Sequence, residues 1–155
     1  MPHDGPVLDQ VNPVVSDMEA SVAFYELLGL TFQPSPAEWA DHHRSAITPA
    51  GRDFDLDSSE FAATWNRGWP GRSGRPGGGI SFRLDSRDEM DARFAALTAA
   101  GSPSQQAPYE TFWGSRYAIV EDPDGNAVGL MSEPDPARRV SPPAPETWSR
   151  GPGRA

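Results

Sequence analysis

The 155-residue chain carries 22 acidic and 13 arginine side chains and no lysine, which gives a formal net charge of −9. That length fits one domain or two small modules that share a core. The acidic balance argues against nucleic acid as a partner, and the lack of cysteine excludes disulfides and thiolate metal sites. No apolar run approaches the roughly 20 residues that span a bilayer, and the polar first residues lack the regions of a signal peptide. We therefore expect a cytoplasmic protein with no membrane partner.

The first half of the chain predicts a strand, a helix and three short strands. Residues 7–15 alternate loosely and are rich in valine, which is typical of a strand. The S-D-M-E of residues 16–19 predicts a capping box, in which Ser16 caps the helix and Glu19 bonds back to it. Apolar residues at helical spacing extend to Leu28, and Gly29 is suited to end the helix. Short strands are predicted near residues 30–33, 39–48 and 53–57.

The second half repeats this order after a segment with six glycines in 14 residues, which predicts a linker at 66–79. A strand is predicted at 80–85, and the S-R-D-E of residues 86–89 predicts a second capping box. The helix that follows ends at Gly101. Strands are predicted at 104–107, 116–120 and 127–132, and the D-P-D-G of residues 122–125 joins the last two as a hairpin.

The two halves match at a constant spacing of about 70 residues, as expected for one supersecondary unit used twice. Ser16 and Ser86, Glu19 and Glu89, and Phe24 and Phe94 each follow this spacing. Coincidence between two amphipathic helices is the alternative. The predicted organisation is a flexible N-terminus at 1–6, module one at 7–65, the linker at 66–79, module two at 80–132, and a proline-rich tail at 133–155 that we expect to be extended or disordered.

Two sequence stretches resemble the signatures of the vicinal oxygen chelate superfamily. The first is V-V-S-D at residues 14–17 followed by S-V-A-F-Y-E-L-L-G-L at 21–30. The second is F-W-G-S-R-Y at 112–117 followed by E-D-P-D-G-N at 121–126. This group includes glyoxalase I, extradiol dioxygenases, fosfomycin-resistance enzymes and bleomycin-resistance proteins. The resemblance covers roughly residues 7–132, and it implies an α+β fold in which paired βαβββ modules form a curved, barrel-like cup.

Enzymes of this group hold a divalent metal inside the cup, and the resemblance places its four ligand positions at Gln10, Asp55, Gly79 and Gly129. Two of these are glycines without a side chain, so we expect no metal and no other cofactor. His42 and His43 are adjacent, so at most one of them could enter the cup from a strand. The row Asp53, Asp55 and Asp57 indicates either a solvated strand face or a set of crowded carboxylates.

Without a metal, a cup binds by shape, stacking and a few polar anchors. Tryptophans in glycine-rich loops need a surface to pack on, so we interpret the loop aromatics as rings around the mouth of the cup. Sealing of the barrel base or of a dimer interface is the alternative for them, and pairing with a surface carboxylate is the alternative for Arg116. Phe24, Tyr25, Phe82 and Phe94 are predicted core residues. The candidate ligand-binding residues are Trp39, His43, Trp65, Trp69, Tyr109, Phe112, Trp113 and Arg116.

The leading functional prediction is a metal-independent protein of the bleomycin-resistance type that sequesters a planar or aromatic natural product, such as an antibiotic. Its expected partners are that ligand and a second copy of the chain, because relatives often form homodimers. An enzyme is the alternative: a glyoxalase-like lyase, isomerase or dioxygenase with an atypical metal site built from Gln10, Asp55 and a histidine. A stress or regulatory module without a small ligand is the third possibility.

Overall fold

The computed structural model describes residues 10–65, 71 and 79–141. The order of its strands and helices is that of an α+β protein, as predicted. None of these helices combines the length and the apolar character that a membrane span requires. In chain order the elements are β1 (Gln10–Val11), β2 (Val14–Val15), α1 (Met18–Leu28), β3 (His43–Ile47), β4 (Asp53–Ser58), α2 (Ser59–Trp65), β5 (Gly79–Leu84), α3 (Arg87–Ala99), β6 (Ser104–Glu110), β7 (Arg116–Glu121) and β8 (Ala127–Ser132).

The sheet of module one is built around β4, which pairs in parallel with β1 and β2 and antiparallel with β3. The strand predicted at 7–15 is split in its described part, because Pro13 has no amide proton to donate to the ladder. The Pro13 carbonyl instead accepts from the Asp57 amide at 3.1 Å. The strand predicted at 30–33 is reduced to a bridge between Phe32 and Ala46, since Pro34 follows at once and cannot continue a ladder.

The sheet of module two has the strand order β5-β8-β7-β6. β5 runs parallel to β8, and the other neighbours are antiparallel. In both modules the first strand therefore pairs in parallel with the last strand, with the helix of the module between them in sequence. This common pairing is the structural form of the repeat seen in the sequence, and it gives two open four-stranded sheets.

The two predicted capping boxes differ in the structure. Ser86 caps α3 as predicted, because its Oγ accepts from the Glu89 amide at 3.0 Å. The cap of α1 is Asp17 rather than Ser16, and its Oδ1 accepts from the Ala20 amide at 2.9 Å. Ser16 does not cap the helix, because its Oγ and amide both bond to Asp124 in module two. The first box was thus predicted one residue early.

One apolar core joins the two modules. Tyr25 of α1 is fully buried and lies against Phe54 and Phe82, with ring centroids 4.7 and 6.2 Å away. Its hydroxyl donates to Oδ2 of Asp122 at 2.9 Å, and burial together with that carboxylate raises the pKa of Tyr25 above its usual range. The prediction of core positions for Phe24, Tyr25, Phe82 and Phe94 is confirmed, since the first two are buried and the others pack against the core.

Two ordered segments were not predicted from the sequence. Helix α2 follows β4 without a loop, and Oγ of Ser58 accepts from the Phe61 amide at its start. The chain after Glu133 was expected to be extended or disordered, but its described part to residue 141 contains a short 3₁₀ helix, Pro136–Arg138. This segment lies on the loop before β7, because the Asp135 amide donates to the Gly114 carbonyl and the Val140 amide to the Phe112 carbonyl. Of the linker predicted at 66–79, only residue 71 and Gly79, the first residue of β5, are described. The predicted N-terminal segment at 1–6 and the tail after residue 141 lie outside the described residues.

Candidate functional site

Each sheet has a core face and an opposite face, which we call its open face. Side chains alternate along a strand and paired residues share a face, so the pairing assigns every residue to one of the two. In module one the buried Phe54 and Leu56 mark the core face of β4, and in module two Val128 and Leu130 mark that of β8. The open face of module one carries Asp53, Asp55, Asp57, His43 and Ser45, and that of module two carries Ser81, Gly129, Met131, Tyr117 and Ile119.

A histidine–carboxylate pair occupies the open face of module one. His43 and Asp57 are opposite each other on β3 and β4, and Nδ1 of His43 lies 2.6 Å from Oδ1 of Asp57. Oδ2 of the same carboxylate accepts from the Asn12 amide group at 3.1 Å. Asp57 is only 1% exposed, whereas the side chain of His43 is 34% exposed. In this pair the Asp57 carboxylate is therefore buried, and the His43 imidazole is partly exposed.

Two aromatic rings adjoin His43. The Phe61 ring on α2 lies 5.2 Å from the imidazole, and Trp39 contacts Phe61 edge to face at 5.7 Å. Trp39 precedes β3 in a turn and is 47% exposed. The predicted ligand residues Trp39 and His43 are therefore brought together through Phe61. The backbone of Trp65 ends α2, but its side chain, like all of Trp69, lies outside the described part.

His42 points away from this pair, so the structure assigns His43 to the open face. Nδ1 of His42 lies 3.0 Å from Oγ of Ser58, on the core side of β4. A cavity of about 410 Å³ next to it is lined by Trp39, Phe61 and two acidic side chains, one of them Glu60. Hydrogen bonds from its own backbone amide and from the Ser58 side chain, and more weakly an electrostatic interaction with His42, lower the pKa of the exposed Glu60.

A chain of four aromatic rings lies on module two. Tyr109 and Tyr117 face each other across β6 and β7 with centroids 6.1 Å apart, and Trp113 lies 5.8 Å from Tyr117. Phe112 contacts Trp113 edge to face at 4.9 Å. Tyr109 and Phe112 remain 38% and 41% exposed. Partial burial and the neighbouring Tyr117 raise the pKa of the Tyr109 hydroxyl. The structure thus groups three predicted ligand residues into one partly exposed aromatic surface.

The predicted metal positions of module two are closed rather than open. A Cβ built on Gly129 would lie 2.6 Å from the Tyr117 hydroxyl and in closer contact with Oγ of Ser81. Those two hydroxyl groups are 3.3 Å apart and bond to each other across the glycine. A side chain at position 129 would require these hydroxyls to move, and neither Gly129 nor Gly79 supplies a donor, so the residues present do not fit the metal of the family.

In module one, Asp55 is 8% exposed on the open face, and the side chain of Gln10 lies outside the described residues. Among the residues that the structure describes, no group of three His, Cys, Asp or Glu side chains is arranged to hold a metal ion.

Arg116 is separated from the aromatic surface. Its neighbour Tyr117 is on the open face, so Arg116 points to the opposite side, where Nε donates to Asp91 on α3 at 3.0 Å. This is the surface pairing that the sequence left as the alternative. Asp57 and Asn12 were not singled out as a site. The alternation of Asp53, Asp55 and Asp57 predicted that they share a strand face, but it did not predict that Asp57 is buried.

The comparison with known families follows from this architecture of two βαβββ-type modules with parallel first and last strands. The model of the Glyoxalase/Bleomycin resistance protein/Dioxygenase superfamily matches residues 7–130. The chain therefore belongs to this superfamily, as its two signature stretches predicted. No curated protein matches the chain.

Solved structures support the same fold. A glyoxalase/bleomycin resistance protein/dioxygenase family enzyme from Burkholderia phytofirmans PsJN is 24% identical, with a TM-score of 0.67 over 81% of this chain and 97% of that one. A glyoxalase-related enzyme from Fulvimarina pelagi is 19% identical, with a TM-score of 0.69 over 82% and 88%. A lactoylglutathione lyase from Agrobacterium tumefaciens is 20% identical, with a TM-score of 0.62 over 84% and 96%. At these identities the likeness shows the fold alone.

Proposed function

We propose that this protein binds a planar aromatic small molecule without a metal ion, as a sequestering protein of the bleomycin-resistance type. The observation that carries the proposal is the ring chain of Tyr109, Tyr117, Trp113 and Phe112 on module two. Aromatic rings that are held by neighbours but remain partly exposed offer a preformed surface on which a flat ligand stacks.

The mutual packing of these rings supports a binding role because it lowers the cost of ordering them. Trp113 is held between Phe112 and Tyr117, and its carbonyl accepts from Nε of Arg139 in the C-terminal segment. A side chain that is already fixed loses little rotamer freedom when a ligand arrives, so more of the stacking energy appears as affinity.

The closed position at Gly129 supports a metal-free reading over a lyase, isomerase or dioxygenase of the metal-dependent kind. A ligand in this cup would meet the paired hydroxyls of Ser81 and Tyr117 instead of a cation. Both hydroxyls donate and accept hydrogen bonds, which suits the carbonyl or hydroxyl groups on the edge of an aromatic natural product.

The proposal includes a biological setting. The ligand is an antibiotic or a similar toxic aromatic compound, and one molecule of protein protects by holding one molecule of ligand in the cytoplasm without turnover. Two copies of the chain are expected to pair. Analytical ultracentrifugation of the full chain tests this part separately, since a concentration-independent monomer would remove the dimer from the proposal.

A fluorescence titration of the metal-stripped protein with a panel of planar aromatic compounds tests the binding itself. Trp113→Phe and Trp39→Phe form a matched pair, because each keeps an aromatic ring while removing one indole reporter. We expect both variants to bind the ligand with an affinity close to that of the unmodified chain. The ligand-induced change in emission should fall sharply in Trp113→Phe and persist in Trp39→Phe.

Tyr109→Ala removes one ring of the stacking surface and should weaken binding by up to about tenfold, since an aromatic pair contributes about 0.5–1.5 kcal/mol. The proposal is wrong if no compound of the panel changes the emission, if binding requires an added divalent metal, or if a bound compound is converted to product. Elemental analysis of the purified protein supplies the metal content for that comparison.

A further inference from the structure

The histidine–carboxylate pair on module one suits proton transfer from a ligand. Buried Asp57 holds Nδ1 of His43 at 2.6 Å, so the imidazole in its neutral form keeps its proton on Nδ1 and presents a lone pair on Nε2. Nε2 is not a buried atom, and no hydrogen-bond partner for it lies within the described residues. Asp57 thus orients the ring through Nδ1, and Nε2 remains accessible.

The second support for Asp57 fixes this orientation further. Asn12 donates to the other carboxylate oxygen at 3.1 Å, so the carboxylate is anchored through both oxygens and is 1% exposed. A fixed, buried carboxylate at Nδ1 leaves Nε2 as the atom through which the ring accepts a proton. The arrangement therefore favours His43 as a proton acceptor rather than as a packed core histidine.

We propose that this surface, formed by His43, Asp57, Asn12 and the adjoining Phe61 ring, binds an acidic phenol or enol and takes up its hydroxyl proton. The ligand O–H bond breaks, its electron pair remains on oxygen, and the proton forms the new N–H bond on Nε2 of His43. The ligand is then held as its anion against the imidazolium. No metal, oxidant or other reactant takes part.

The surroundings of His43 define the class of ligand. Phe61 lies 5.2 Å from the imidazole with Trp39 behind it, so an aromatic body can pack on the ring while its hydroxyl reaches Nε2. Asp55 and Asp53 of β4 share the open face with Asp57. Glu60 of α2 and His42 line a neighbouring cavity that shares the rings of Phe61 and Trp39 with this surface. Carboxylates on this face oppose a concentrated negative charge on the ligand. The site should therefore prefer acids whose anion spreads its charge over a conjugated ring.

This inference goes beyond the proposed function, because it concerns module one and would stand if the aromatic surface of module two bound nothing. Para-nitrophenol is the probe, because its phenolate has a visible absorption band that the neutral phenol lacks. The experiment titrates the probe with the full chain at the pH where half of the free probe is ionised. Para-nitroanisole, which has no hydroxyl proton, serves as a binding control monitored by saturation-transfer NMR.

We expect the unmodified protein to raise the ratio of phenolate to phenol in the bound probe by about tenfold, which corresponds to one pKa unit. His43→Gln keeps a hydrogen-bonding side chain but cannot accept the proton, so it should remove this increase. His42→Gln is the matched control on the neighbouring residue and should leave it intact. Asp57→Asn should reduce the increase, because an amide group can donate to Nδ1 and so place the imidazole proton on Nε2.

Circular dichroism of each variant establishes that it is folded before the absorption of the probe is interpreted. His43→Gln is the decisive variant, because His43 is partly exposed and its replacement should leave the fold intact. The inference is overturned if the unmodified protein fails to bind the probe at millimolar concentrations. It is equally overturned if the phenolate fraction does not rise on binding, or if it rises as much in His43→Gln as in the unmodified chain.

Discussion

The open faces of the two modules occupy equivalent positions of one repeated backbone, and their side chains differ in kind. His43 is opposite Asp57 in module one, where Tyr117 is opposite Met131 in module two. The first pair is a hydrogen-bonded histidine and carboxylate with the carboxylate buried, whereas the second belongs to an aromatic surface. The repeat therefore conserves the sheet and the core, and it leaves each open face to be built for its own chemistry.

Asp55 and Gly129, at two of the family's metal positions, also show that equivalent positions of the two modules carry different side chains. Both residues lie on the open face of the last strand of a module, one residue after a buried core position. Asp55 has a carboxylate, while the space over Gly129 is filled by the hydroxyls of Ser81 and Tyr117. A site that needs donors from both modules cannot be completed from one side.

The largest expected effect comes from removing the buried carboxylate of module one. Asp57→Ala should lower the free energy of unfolding by about 3 kcal/mol, because His43 and Asn12 lose their common partner in a buried setting. Asp53→Ala, on the exposed end of the same strand, should change it by less than about 0.5 kcal/mol. Urea unfolding of both variants measures the difference, and equal effects would show that Asp57 is no more than a strand-face residue.

The next effect concerns the closed position of module two. Gly129→Ala should cost about 2 kcal/mol, because its Cβ overlaps the hydroxyls of Tyr117 and Ser81. In a Ser81→Gly background the same change should cost clearly less, since one of the two obstacles is gone. A double-mutant cycle by chemical denaturation measures this coupling. Additive effects in the cycle would mean that Ser81 does not close the position.

A smaller effect is expected at the loop that carries Phe112 and Trp113. Gly114 has a φ of 92°, and a Cβ there would run into the Asp135 carbonyl. Gly114→Ala should cost about 1–2 kcal/mol through the left-handed backbone and release the segment after Asp135. Hydrogen exchange at the Val140 amide should then accelerate, and unchanged protection there would contradict this docking. Gly51→Ala provides a control, because Gly51 also has a positive φ but has no atom within 4 Å of the added Cβ.

The smallest effect is expected at the contact between the modules. Tyr25→Phe should cost about 1 kcal/mol by removing the hydrogen bond to Asp122. The folded pKa of Tyr25 is raised, so its contribution to stability is complete below the unfolded tyrosine pKa of about 10 and is lost progressively above it. Tyr25→Phe should therefore flatten the fall in stability at alkaline pH. An equally steep alkaline fall in the variant would assign it to other groups.

Local patterns predicted the elements whose signals are contained in a few neighbouring residues. The hairpin from β7 to β8 follows from alternation and the D-P-D-G turn, and the strand over Ala127–Ser132 has the predicted bounds. The exchange of Ser16 for Asp17 as a helix cap was not predictable, because it depends on Asp124, which is 108 residues away. Helix-capping propensity is a local property, so it cannot account for a hydrogen-bond partner that comes close only in the folded chain.

The sites show the same limit. Tyr109, Phe112 and Trp113, which are close in sequence, were all among the predicted ligand residues, and the structure brings them together. Arg116 was included with them, although strand alternation alone turns it away from Tyr117. The pair of His43 and Asp57 depends on the register of β3 against β4. The turn between these strands, in which the Gly51 amide donates to the Thr48 carbonyl, fixes that register in the folded chain.

The central claim is that this member of the superfamily binds flat aromatic ligands on module two without a metal. NMR chemical-shift mapping of the metal-stripped protein with an aromatic ligand identified by the fluorescence titration tests it most directly. The account predicts that shifts concentrate on the rings of Tyr109, Phe112, Trp113 and Tyr117 and stay the same after zinc or manganese is added. Shifts that appear only with the metal, or that leave these four rings unchanged, would contradict it.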